Sequence, residues 1–139
     1  MTWIPTLNAL IFMMLAAVHA YWALGGTAGL AASLPTDSGG TIRLRPTAGM
    51  TWTVALGLLL LAGLSALHLA FGPGHFPAWL RVADGAMAAV FGLRAVGDFR
   101  YVGLSKRIHG TTFARRDSRY YTPLCLLLAA GSGWLAVAP

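Results

Sequence analysis

Acid–base and ligand chemistry in this chain rests on few side chains: four histidines, four aspartates, one cysteine, one lysine and nine arginines, with no glutamate among 139 residues. None of His19, His68, His75 and His109 lies three or four positions from another histidine, so no helix face presents a paired metal site. No metal or cofactor is expected. Cys125 sits inside an apolar run without a disulfide or metal-motif partner. The informative groups are those that fall within apolar sequence. Burying a charge in hydrocarbon costs several kcal/mol unless it is paired or wet, so an intramembrane Asp, Arg or His marks a site.

Asp84, Met87, Phe91, Arg94 and Asp98 recur at helical spacing and form one stripe facing other helices or a cavity. Arg94 and Asp98 stand four apart, which predicts a hydrogen-bonded pair on that face. His19 lies about 15 residues into the first apolar run and Arg94 about 17 into the third, so the two reach the same level at 1.5 Å per residue. His19 is therefore expected within reach of Arg94 or Asp98, with Trp22 and Tyr101 flanking the pocket at the headgroup boundary. His68, by contrast, lies about 18 Å from His19 along the membrane normal by the same rise, which rules out a shared haem. His68, His75 and Asp84 make a secondary cluster at the other end, read as surface-bound polar side chains more readily than as a metal site.

Composition dictates the elements that must hold these groups. Hydrophobic residues are 57% and charged residues 10% of the chain, against about a quarter charged in soluble domains. That points to an all-α integral membrane protein. A spanning helix needs about 20 mostly apolar residues, and four runs qualify, at about 4–25, 51–71, 77–98 and 120–137. They form a single domain, a four-helix bundle. No Lys or Arg precedes Arg43, so the first run lacks the basic start of a signal peptide and is read as a retained span. Gly72-Pro73-Gly74 stops the second run. Small residues four apart (Ala62 and Ala66, Gly85 and Ala89, Ala88 and Gly92, Ala129 and Gly133) suit close helix packing.

Charge sets the orientation. Arg43, Arg45, Arg100, Lys106, Arg107, Arg115, Arg116 and Arg119 fall in the two long connections, whereas Arg81 alone falls on the opposite side. The positive-inside rule then places both connections in the cytoplasm and both termini outside the cytoplasmic membrane. The net charge of +6 is matched by anionic lipid headgroups as partners rather than by nucleic acid.

Five segments together carry a family resemblance: His19-Ala-Tyr21-Trp22-Ala-Leu-Gly25-Gly26; Pro35; Arg94-Ala-Val-Gly97-Asp98-Phe-Arg100-Tyr101-Val-Gly103; Phe113-Ala-Arg-Arg-Asp117; and Tyr121-Thr-Pro123-Leu124-Cys125. This pattern resembles the bacterial membrane proteins grouped as DUF3995, over nearly the whole chain. The resemblance implies a four-helix membrane protein and no established activity. It draws attention to His19, Trp22, Arg94, Asp98, Arg100, Tyr101, Asp117 and Tyr121, which would converge at the cytoplasmic ends of the spans.

The leading expectation is a protein that binds or translocates an anionic or amphipathic small molecule there, with Arg94 and Arg100 receiving the anion and Asp98 orienting Arg94. Two others compete with it. One is an intramembrane enzyme using His19 with Asp98 or Asp117 as acid and base on a lipid-like substrate. The other is an accessory subunit whose polar residues specify assembly, as a homo-oligomer or with a larger membrane complex.

Overall fold

The computed structural model describes residues 2–42, 44–71 and 75–138. Gly72-Pro73-Gly74 and Arg43, which carried a stop signal and one count of the charge balance, lie outside them. The described residues form α1 (Trp3–Ala23), a single turn α2 (Leu30–Ser33), α3 (Ala48–Phe71), α4 (Ala78–Val96), α5 (Thr112–Arg116), a π-helical turn (Asp117–Tyr121) and α6 (Thr122–Val137). The fold is all-helical; one isolated bridge, Thr36 with Ile42, pins the first connection.

Three helical stretches are long and apolar enough to cross a membrane: Trp3–Ala23, Ala48–Phe71 and the continuous Thr112–Val137. α4 is of similar length but carries Arg81, Asp84 and Arg94. The helix ends follow from local chemistry. Proline fixes the φ that starts a helix, and Pro77 immediately precedes α4. The Thr47 hydroxyl accepts the Met50 N–H at 3.2 Å at the start of α3. α1 closes with Gly25 at φ +97°, while the N–H groups of Gly26 and Gly25 reach the carbonyls of Tyr21 and Trp22, the paired bonds of a Schellman stop.

α1 packs along α3 and α4 along α6, giving two antiparallel hairpins that meet chiefly where α1 touches α6. Phe12, Ala16, Leu58, Ala62, Met87 and Leu128 form the shared core, with the Phe12 and Phe91 rings 5.3 Å apart. Small residues let the second hairpin close: a Cβ on Gly133 would meet Ala88 at 3.7 Å, and one on Gly85 would meet Ala136 at 3.9 Å. Polarity is distributed opposite to that of a soluble protein. Asn8, Ser65, His68, Asp84 and Ser132 are buried, while Leu10, Met13, Leu60, Val82, Val90 and Leu93 are exposed, the arrangement expected where the solvent is lipid.

The two long connections sit at one end of the hairpins and touch each other. The Ser33 and Tyr121 hydroxyls are 3.1 Å apart, and α2 packs on α5. The second connection folds back onto α4. The N–H groups of Leu104 and Ser105 bond the carbonyls of Ala95 and Val96 at 2.8 and 3.0 Å, satisfying acceptors that a helix end leaves free. This return requires two glycines in backbone contact. A Cβ on Gly97 would lie 1.7 Å from the Val102 carbonyl oxygen, and one on Gly103 would lie 2.5 Å from Gly97 Cα.

Gly97→Ala is therefore expected to lower stability by several kcal/mol, adding overpacking to an unfavourable positive φ. Gly57→Ala, on a helix face with open space around it, should be neutral or stabilising by up to about 1 kcal/mol. Thermal unfolding of both variants in one detergent checks the contrast.

Candidate functional site

Asp117 is the polar centre of the connection end. Its carboxylate is fully buried and accepts four hydrogen bonds. Oδ1 takes one from Arg94 Nη2 at 2.9 Å. Oδ2 takes the Gly103 N–H at 2.9 Å, Lys106 Nζ at 2.9 Å and the Thr122 hydroxyl at 3.1 Å. Lys106 also donates to the Gly103 carbonyl at 2.9 Å. The carboxylate thus joins α4, the folded-back connection and the final helix. Two cations face one anion, leaving one positive charge in excess, and Arg94 Nη1 is buried with no partner among the described residues.

The local sequence explains how an Asp comes to stand there. The Thr111 hydroxyl caps α5 by accepting the Ala114 N–H at 3.0 Å, so the helix starts at Thr112 rather than near Tyr120 as the apolar pattern predicts. The expected connection over 99–119 is shortened accordingly, because capping and charge pairing make Arg115, Arg116, Asp117 and Arg119 helical. At Asp117 the helix widens into a π-turn, closed by the Thr122 N–H on the Asp117 carbonyl. Such one-turn bulges re-aim side chains within a helix and recur at functional positions.

The predicted Arg94–Asp98 pair is not formed. Gly97 ends α4 at Val96, so Asp98 leaves the helical face and becomes exposed. Its Oδ1 instead accepts the backbone N–H groups of Arg100, Tyr101 and Val102 at 2.9, 2.6 and 2.9 Å. Desolvation pushes the Asp98 carboxyl up, but these N–H donors together outweigh it and hold it below the usual carboxylate range. The rest of the stripe behaves as expected, with Asp84 and Met87 buried. Arg100 lies over the Tyr101 ring at 5.2 Å, on the exposed side of the same turn.

The direct contact expected between His19 and Arg94 or Asp98 is also absent. His19 Nδ1–H donates to the Leu15 carbonyl of its own helix at 2.8 Å, and its ring meets Trp22 edge-on at 5.1 Å. Trp22 in turn donates to the Ala28 carbonyl at 2.8 Å, tying α1 to the first connection. Tyr121 bonds Ser33. Of the eight residues singled out by the sequence, only Arg94 and Asp117 meet side chain to side chain in one charged site. Lys106, Gly103 and Thr122 complete it. Lys106 is the chain's single lysine, the one signal that sets it apart from the surrounding arginines.

At the opposite end, His68 and Asp84 are buried rather than surface-bound, with His68 Nε2 and Asp84 Oδ2 2.7 Å apart. His75 is exposed. No group of three or more metal-ligating side chains gathers among the described residues.

Beside the Asp117 centre, the two connections enclose a cleft of about 680 Å³, lined by Ala31, Ala32, Thr36, Ser38, Gly40 and Ile42 from the first and by His109, Gly110, Thr111, Thr112 and Phe113 from the second. Arg115 stands at its edge, donating to the Gly110 carbonyl at 3.1 Å and the Thr112 hydroxyl at 3.5 Å.

Two predictions separate the roles of the two aspartates. Asp117→Ala strands a lysine side chain that is 4% exposed and an arginine that is 34% exposed, and is expected to cost about 3–5 kcal/mol. Adding Lys106→Met should recover part of that loss in thermal unfolding, whereas Asp98→Ala alone should cost no more than about 2 kcal/mol, the range of a lost backbone cap. Asp98 also sets a pH dependence. Because its folded pKa lies below its unfolded value, its contribution is present above the ordinary carboxylate range and is lost as pH falls through the folded pKa. Amide protection factors at Arg100, Tyr101 and Val102, taken against the intrinsic exchange rate at each pH, should fall on acidification in the parent and become insensitive to that step in Asp98→Asn.

The match to known families agrees with this geometry. No curated protein and no solved structure is similar to the chain. The family model described as a protein of unknown function, DUF3995, matches residues 12–132, a stretch that includes the Asp117 centre, its Arg94, Gly103, Lys106 and Thr122 partners and the connection cleft, and on that match the chain belongs to the DUF3995 family.

Proposed function

We propose that the chain is a four-span membrane protein that binds an anionic amphiphile in the cleft between its two connections, on the cytoplasmic side. In this reading α4 is the fourth crossing. Its charges are tolerable in lipid because they are matched: Asp84 by His68, Arg94 by Asp117, and Arg81 by the Ala136 carbonyl at 3.0 Å. The basic residues of the connections favour the cytoplasmic assignment, with the termini on the other side.

The observation that carries the binding reading is the cleft itself. Its 680 Å³ falls within the range of small-molecule sites, about 300–1,000 Å³. Ala31, Ala32, Ile42 and Phe113 offer an apolar wall to a hydrocarbon portion, while Ser38, His109, Thr111 and the Arg115 guanidinium offer hydrogen bonds to a phosphate or carboxylate head. Arg115 is pre-oriented by its two bonds to the rim, which reduces the ordering cost of binding. The acid–base enzyme reading has less support, because the carboxylates it would pair with His19 are engaged elsewhere, Asp98 by backbone N–H groups and Asp117 by Arg94 and Lys106.

A single-chain amphiphile with a phosphate head, added below its micellar concentration, is the probe. Native mass spectrometry of protein released from nanodiscs should show one equivalent retained by the parent. Ala32→Trp, which fills the cleft, and Arg115→Ala should each weaken retention by about tenfold or more, or about 1.4 kcal/mol. A choline-headed amphiphile of the same chain length should not be retained. Unchanged retention by Ala32→Trp would sink the reading.

A further inference from the structure

The two hairpins are tied at the end bearing the termini by two buried polar contacts. Asn8 donates to the Ser132 hydroxyl at 3.3 Å, joining α1 to α6. His68 and Asp84 meet at 2.7 Å, joining α3 to α4. The first tie is a simple neutral bond. The second leaves more unsettled: Ser65 Oγ, His68 Nδ1 and Asp84 Oδ1 are all buried with no hydrogen-bond partner among the described residues. Ser65 and His68 stand three apart on α3 and so share its face, and the three side chains belong to residues that are 0%, 2% and 0% exposed.

The hydrogen count of this cluster is short. With the hydrogen between them on His68 Nε2, both carboxylate oxygens accept only, and the unprotonated Nδ1 of the neutral imidazole accepts only. The Ser65 hydroxyl, one turn before His68, has a single hydrogen and no partner for it among the described residues. An unsatisfied buried acceptor costs about 1–3 kcal/mol, so the cluster gains by taking up one more hydrogen.

No other cation among the described residues is placed to supply it. On α4, Arg81 lies three residues before Asp84 but directs its Nε to the Ala136 carbonyl. On the segment before α4, His75 is exposed and Phe76 presents only its ring, edge-on to His68 at 4.3 Å. α1 and α6 bring no titratable side chain to this end; Cys125 lies at the other end of α6. His68 is in the last turn of α3, one turn from the helix end, so a proton from water has a short path past Phe76.

We propose that Ser65, His68 and Asp84 form a proton-binding site buried between the two hairpins, and that proton uptake there changes how firmly the hairpins are held together. The proton comes from solvent water and becomes the N–H of His68 Nδ1, which then donates within the cluster. No other covalent bond changes. The imidazole is the side chain suited to this exchange near neutral pH.

Residue-resolved ¹⁵N NMR of the histidine rings, with the full chain in nanodiscs, tests the site between about pH 4 and about pH 9. The His68 ring should change protonation state once in that range. Asp84→Asn and Ser65→Ala should each move its midpoint by about one pH unit, a tenfold change in proton affinity, while the exposed His75 keeps its own midpoint. Thermal stability of the parent should change across the His68 step, and that change should be lost in Asp84→Asn. Ser65→Ala alters neither helix packing volume nor the His68–Asp84 bond, so it reads the site even if Asp84→Asn folds poorly. A His68 ring fixed in one state across the range, or a midpoint that ignores Ser65→Ala, would overturn the proposal. So would a midpoint that follows sodium concentration, which would assign the cluster to a metal cation instead.

Discussion

The connection end of this protein depends on one carboxylate. Asp117 is held away from solvent between a guanidinium and an ammonium, and its partners come from three pieces of chain: α4, the second connection and α6. Buried ion pairs seldom add net stability over a well-packed apolar alternative, because desolvation offsets much of the Coulombic gain. Their value is uniqueness: a lone buried charge admits few arrangements that satisfy it. Here the satisfied arrangement fixes the direction of α4, the return of the connection through Gly97 and Gly103, and the position of the π-turn. The cleft between the connections inherits its shape from those three constraints.

Much of this was legible in the sequence because hydrocarbon leaves so few options for a polar group. The apolar runs located the first three long helices to within a few residues, and the alternation of long connections matched the two hairpins. The stripe from Asp84 through Met87 to Arg94 faces inward as its spacing implies. What spacing could not reveal was the partner of Arg94. An i, i+4 rule holds only while the helix continues, and Gly97 ends it one residue before Asp98. The residue that replaces Asp98 lies 23 positions away, and contact across a helix-to-helix interface has no local signature.

The start of the final helix was hidden for a related reason. Arg115, Arg116, Asp117 and Arg119 look like solvated connection sequence, yet the Thr111 cap and the pairing of Asp117 make them helical. His19 failed in the opposite way. A histidine can satisfy a ring N–H on the carbonyl one turn back and then needs no partner on another helix. His68 and Asp84 were placed at one level by depth, and there the interhelical partner does exist.

The π-turn has a mechanical consequence for the bilayer. It divides the final helical stretch, so that the apolar part beyond it, α6, has 16 residues and a length of about 24 Å at 1.5 Å per residue. α1 and α3, with 21 and 24 residues, reach about 32 and 36 Å by the same rise. In the proposed four-span orientation α6 alone falls short of a hydrocarbon core of about 30 Å, and the continuous stretch Thr112–Val137 reaches across only with the π-turn drawn to the membrane boundary. Such hydrophobic mismatch is relieved by tilting the longer arms and thinning the lipid beside the shorter one. In that proposed orientation, a thinned annulus on the α6 side would bring headgroups and water down to the level of Asp117.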